Sequence, residues 1–154
     1  MSETTQPAAE QTGGSGLGPR RVSMTRLAPG SYEVANDRGG SLRIGSGESA
    51  DFTPVELLLT AIAGCSAVDV DAITSRRAEP ATFSVAATGT KDRDEERGNH
   101  MRDLEVTFTV TFPPGEAGDR AREMLPRAVA MSRDRLCTVS RTVQLGTPVA
   151  MRVD

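Results

Sequence analysis

Apolar and polar positions alternate in short runs over the first part of the chain. Val22, Met24 and Arg26 are separated by polar neighbours, Pro29-Gly30 marks a turn, and Tyr32 and Val34 alternate again. Asp37-Arg38-Gly39-Gly40 turns once more, and Leu42 and Ile44 form a third pair. Period-two alternation broken by Gly/Pro turns predicts a β-meander of short strands. The pattern then changes. Thr53-Pro54-Val55-Glu56 has the form of a capping box, and Leu57 to Val68 is apolar on nearly every side. This predicts a helix starting at Pro54, polar from Asp69 and ending near Arg77, that is central and covered on several sides. Its length suggests a spine partly covered by a second subunit.

Phe83, Val85 and Ala87 alternate through residues 81–90, and Leu104, Val106, Phe108, Val110 and Phe112 do so before Pro113-Pro114-Gly115. Two strands are predicted, with the charged stretch from Lys91 to His100 as a loop between them. A second helix is expected from Ala117, kinked or split at Pro126, because proline removes a backbone donor and crowds the preceding turn. Ser132 is the expected cap of a further helix that carries Cys137 and stops at Gly146. Val149, Met151 and Val153 suggest a last strand. The order β-β-β-α-β-β-α-α-β is of the α+β class. Residues 1–19, rich in Gly, Ser, Thr, Gln and Pro, are expected to be a disordered tail, leaving one domain over 20–154.

Composition narrows the functions. The chain has 154 residues with 18 basic and 21 acidic side chains, net −3, and 3% aromatics with no Trp. That argues against a nucleic-acid or anionic-membrane surface and against a base-stacking platform. No run approaches the roughly 18 apolar residues of a membrane span and no signal segment is evident, so a cytoplasmic protein without a membrane partner is expected. One His and two Cys, far apart in sequence, do not read as a zinc motif, and neither a metal nor a cofactor is expected.

Cys65 and Cys137, 72 positions apart, are the candidate chemistry. In a reducing compartment a bond between them would be transient or catalytic. Mid-helix burial should keep Cys65 protonated, and Asp69, one turn on, should oppose its ionisation further. A reactive Cys65 therefore needs positive charge from elsewhere. Cys137 has Arg133 and Arg141 at i−4 and i+4 and Arg135 close by, so locally it is the better thiolate. Glu56 is accounted for as the third member of the capping box.

The run Pro54-Val55-Glu56-Leu57-Leu58-Leu59-Thr60-Ala61-Ile62-Ala63-Gly64-Cys65-Ser66-Ala67-Val68-Asp69-Val70 resembles the first-cysteine helix of the OsmC/Ohr family. Ala128-Val129-Ala130-Met131-Ser132-Arg133-Asp134-Arg135-Leu136-Cys137-Thr138-Val139 resembles its second-cysteine segment. The match is with the OsmC-like branch. It implies an intertwined homodimer with antiparallel sheets wrapped around long central helices. It also implies thiol-dependent reduction of organic hydroperoxides: Cys65 attacks and becomes a sulfenic acid, Cys137 resolves it as a disulfide, and an external dithiol reduces that. The hydroperoxide reductases carry a glutamate directly after the helix-start proline, where this chain has Val55; Glu56, one residue later, is the candidate for that catalytic role. They also use an arginine from the N-terminal strand–turn region, for which Arg26 is the nearest match. Two other readings stand beside the peroxidase: a thiol redox sensor, and a non-catalytic dimeric module that binds an apolar ligand.

Overall fold

The three alternating pairs form a three-stranded antiparallel sheet in the computed structural model, which describes residues 16–154. β1 (Val22–Ala28), β2 (Ser31–Asn36) and β3 (Ser41–Ile44) lie in sequence order, with Met24 opposite Val34 and Val34 opposite Leu42. Gly30, at φ 69°, supplies the left-handed residue the first turn needs. The predicted tail falls on residues 1–15, outside the described residues, and on 16–19, which are exposed and irregular.

The chain divides into two compact units, Leu17–Thr60 with this sheet, and Ala61–Asp154. Helix α1 (Pro54–Thr74) begins in the first and continues in the second. Its capping box forms as predicted: the Thr53 N–H donates to Glu56 Oε2 (3.1 Å), and the Glu56 N–H donates to Thr53 Oγ1 (3.3 Å). The helix ends at Thr74 and a turn carries the chain through Arg77. With mean hydropathy 1.6, α1 is long and apolar enough to cross a membrane by length and composition, which the count of consecutive apolar residues did not anticipate. It nonetheless buries Ser66, Asp69 and Thr74 within the protein. These polar groups mark it as a core helix.

In the second unit, β4 (Thr82–Asp94) and β5 (Gly98–Thr111) form one long antiparallel hairpin. The stretch from Lys91 to His100 is therefore largely strand, not loop. Lys91 pairs with Met101, Asp92 with His100 and Asp94 with Gly98, so only the tip turns. Its charges are organised as pairs, Arg102 Nε to Asp92 Oδ2 and Arg97 to Asp94, each at 2.7 Å. Gly98, at φ 69°, closes the tip. The ladder shifts between Thr88 and Thr90, a bulge where a Cβ on Gly89 would come within 2.7 Å of the Leu104 side chain. The apolar side of the hairpin packs on the helices. Val70, Ile73 and Ala128 form the core, and Phe83, Phe108, Met124, Leu125 and Leu136 close around it. Phe83 and Phe108 meet edge to face at 6.4 Å.

Of the two expected effects of Pro126, a kink or a split, the split does not occur: helix α2 (Glu116–Met131) runs through it. Pro126 and Arg122, whose carbonyl loses its donor, are both exposed, so water can satisfy that group. The helical path changes at Ser132–Leu136, a single π-helical turn. Helix α3 (Thr138–Leu145) follows, capped by Cys137 and not by Ser132, and Gly146 ends it in the left-handed conformation (φ 64°), as predicted. The predicted last strand is absent. Residues 147–154 are irregular, and Val149, Met151 and Val153 are exposed and pair with no strand among the described residues.

Candidate active site

The two cysteines reach one another from different elements. Cys65 lies in the middle of α1, and Cys137 at the junction of the π-turn and α3. Asp69 follows Cys65 by one helical turn, on the same face. The two Sγ atoms and an Asp69 carboxylate oxygen all lie within 4.8 Å of one another. Asp69 and Cys137 are fully buried, and Cys65 is half-buried.

The π-turn sets this arrangement. The Cys137 N–H bonds the Ser132 carbonyl five residues back (2.9 Å), and the chain then leaves the helical region at φ −70°, ψ 100°. This wide turn lets Ser132 and Cys137 both face α1. Ser132 Oγ donates to Asp69 Oδ2 at 2.9 Å, and Ser66 Oγ donates to Cys137 Sγ at 3.4 Å. Extra-residue turns of this kind are frequent at functional sites. Cys137 is itself the N-cap of α3, and its sulfur accepts the Ser140 N–H at 3.4 Å.

Opposite forces act on the two thiols. At Cys137, burial pushes the pKa up, but hydrogen bonds from the Ser140 and Ser66 hydroxyls, the Ser140 amide and the Cys65 thiol outweigh it, and the net direction is downward. A neutral thiol is a weak acceptor and a thiolate a strong one, so these donors favour the ionised form. Cys65 is pushed up to about 11, first by burial and then by the neighbouring Cys137 and Asp69, while the Val139 N–H donates to its sulfur and opposes the shift. The pair therefore shares its protons: the first leaves with Cys137 ionised, and the second stays on Cys65.

This arrangement corrects one expectation and reshapes another. The leading donors at Cys137 are serines and a helix N-terminus, not Arg133, Arg135 and Arg141, and the Arg133 guanidinium is paired with Asp134 at 2.8 Å. The positive end that Cys65 lacks on its own helix is offered in part by the first turn of α3, through Val139. Arg26 lies on β1 opposite Tyr32, and Glu56 in the capping box; both belong to the unit Leu17–Thr60, whereas the two cysteines belong to the other. Sequence reasoning did not assign roles to Ser66, Ser132 and Ser140, and saw Asp69 only as a repulsive charge. One signal was available: Ser66 and Asp69 are polar residues inside an otherwise apolar helical run, where burial demands a partner.

Comparison with known proteins agrees with the fold. A family model described as OsmC-like protein matches residues 45–152. An uncharacterized protein of Mycobacterium bovis is 33% identical over 125 residues, which is 79% of this chain and 87% of that one; a protein of Mycobacterium tuberculosis matches to the same extent. Among solved structures, a hypothetical protein from Aquifex aeolicus superposes with a TM-score of 0.67 at 22% identity, covering 85% of this chain and 91% of that one. An OsmC-like protein from Mycoplasma pneumoniae does so at 0.65 and 13% identity, covering 82% and 88%. A structure from Legionella pneumophila, titled an organic hydroperoxide resistance protein, gives 0.56 and 14% identity, covering 84% and 92%.

Proposed function

The chain belongs to the OsmC-like protein family, and from that premise we propose that it is a thiol-dependent peroxidase that reduces organic hydroperoxides. One observation carries the reading: two cysteines 72 positions apart place their sulfurs within 4.8 Å of each other. The resistance function named for the Legionella neighbour is consistent with it. In this reading the Cys65 sulfur, the more accessible of the two, attacks the terminal oxygen of the hydroperoxide. The O–O bond breaks, the alkoxide leaves and takes a proton to become the alcohol, and Cys65 becomes a sulfenic acid. The Cys137 thiolate then attacks that sulfur. An S–S bond forms, the S–O bond breaks, and hydroxide leaves to become water. An external dithiol reduces the disulfide and is itself oxidised. The lowered pKa of Cys137 suits the resolving step, since it raises the share of thiolate that can attack the sulfenic acid.

A homodimer and a cytoplasmic location are part of the same reading. Only 33% of the apolar stretch of α1 is buried in one chain. Val68 on that helix, and Val22, Met24 and Leu42 on the first sheet, are exposed. A second copy would cover them. The decisive experiment adds substoichiometric cumene hydroperoxide to the reduced protein and follows thiol loss, peroxide loss and cross-links by non-reducing mass spectrometry. The reading expects two thiols lost per peroxide consumed and a Cys65–Cys137 cross-link. Consumption that survives Cys65→Ser would refute it. The elevated pKa of Cys65 favours a redox sensor as the second reading, which expects the cross-link but no sustained turnover with excess dithiol.

A further inference from the structure

We propose that Cys65, Asp69 and Cys137 form a three-donor site for a thiophilic divalent cation of the zinc group, with the fourth coordination position open. The proposal is independent of the peroxidase reading, although it uses both of that reading's sulfurs. Two sulfurs and one carboxylate oxygen lie mutually within 4.8 Å. Tetrahedral zinc, with Zn–S about 2.3 Å and Zn–O about 2.0 Å, needs its donors roughly 3.5–3.8 Å apart. The donors therefore sit no more than about 1.3 Å beyond the coordinated spacing. Two of the three are fully buried, and all stand on or beside helices, so the set is rigid before a cation arrives.

The surroundings match what ligands require. Ser132 Oγ holds one oxygen of Asp69 at 2.9 Å, the outer-shell support that orients a ligating carboxylate. Ser66 and the Ser140 amide fix the Cys137 sulfur, each at 3.4 Å. The donor types choose the cation. Magnesium and calcium need six or more oxygens, whereas two thiolates and a carboxylate suit a soft or borderline d10 ion. Binding displaces up to two thiol protons to solvent and changes no oxidation state. The bound site carries two thiolates, one carboxylate and a divalent ion, for a net charge near −1 where the ionised, empty cluster would carry −3. A cation held by both sulfurs excludes the disulfide, so metal and peroxide compete for the same pair.

The test uses the full reduced chain under anaerobic conditions, with no peroxide, titrated with cadmium and in parallel with zinc. The expected result is one equivalent bound per chain, with thiolate-to-cadmium charge-transfer absorption and two thiols protected from a thiol reagent until a chelator is added. Cys65→Ser or Cys137→Ser should remove the charge-transfer signal of a two-thiolate site. Asp69→Asn should weaken binding at least tenfold, and Ser132→Ala, which leaves all three donors in place, should weaken it severalfold. No binding by the reduced chain overturns the proposal. So does unchanged affinity in Asp69→Asn, or, if that variant does not fold, in Ser132→Ala. Because no peroxide enters the titration, failure here leaves the peroxidase reading standing, and the reverse also holds.

Discussion

The acidity of Cys137 is decided by donors only a few ångströms away, and it can be read directly. Thiolate absorbance in the reduced protein should rise in two steps, one thiol's worth below pH 9 and the second near 11. Cys65→Ser should remove the upper step. Ser66→Ala removes a donor at 3.4 Å from the Cys137 sulfur and should move the lower step to higher pH. A single step for both thiols near the ordinary value would contradict the shared-proton picture. Sequence offered Cys137 the right property for the wrong reason. Arg133 and Arg141 occupy helical spacing from it only if one regular helix runs through all three. The π-turn and the break at Cys137 destroy that spacing and put Ser66 and Ser140 against the sulfur instead.

Elements were predicted well where local chemistry is decisive, and poorly where pairing decides. The capping box at Thr53 needs only residues within one turn, and it forms as expected. Thr53→Ala should lower stability by about 1 kcal/mol in urea unfolding, with activity retained. The charged stretch from Lys91 to His100 looked like a loop because polarity was read without its partner. Paired across the hairpin, as Asp92 is with Arg102, or within its tip, as Asp94 is with Arg97, those same charges are compatible with strand. The start of α2 depends on close backbone approach: a Cβ on Gly118 would run into the Pro113 carbonyl oxygen. Gly118→Ala should therefore cost roughly 1–3 kcal/mol, seen as a lowered Tm, and an unchanged Tm would show that the 113–118 turn relaxes freely.

At the scale of the whole molecule, two opposed titrations meet at one site. Between the lowered pKa of Cys137 and its unfolded value near 9, the unfolded chain binds more protons than the folded one, so stability rises with pH. Between 9 and about 11 the folded chain holds the Cys65 proton and the unfolded chain has lost it, so stability falls. The urea midpoint of the reduced protein should pass through a maximum near pH 9, and the double variant Cys65→Ser/Cys137→Ser should flatten it. The exposed apolar surface of α1 gives a second expectation. Light scattering should return twice the chain mass, and Val68→Glu should shift the protein toward monomer and lower its Tm.

Periodicity and capping chemistry were enough to place the three-strand meander, the start of α1, the β4 and β5 strands, the stop at Gly146 and the α+β class, because each depends on neighbours within a turn or on a local alternation. The same residues carried the family resemblance and singled out Cys65 and Cys137. The absent final strand, the uninterrupted α2 and the π-turn lay beyond that reach, since pairing edges, solvent exposure of Pro126 and a five-residue hydrogen bond exist only in the folded chain. The site belongs to the same category. Ser66, Asp69, Ser132 and Cys137 are scattered over both cysteine segments, and their electrostatic meaning comes from distances of about 3 Å that only tertiary packing creates.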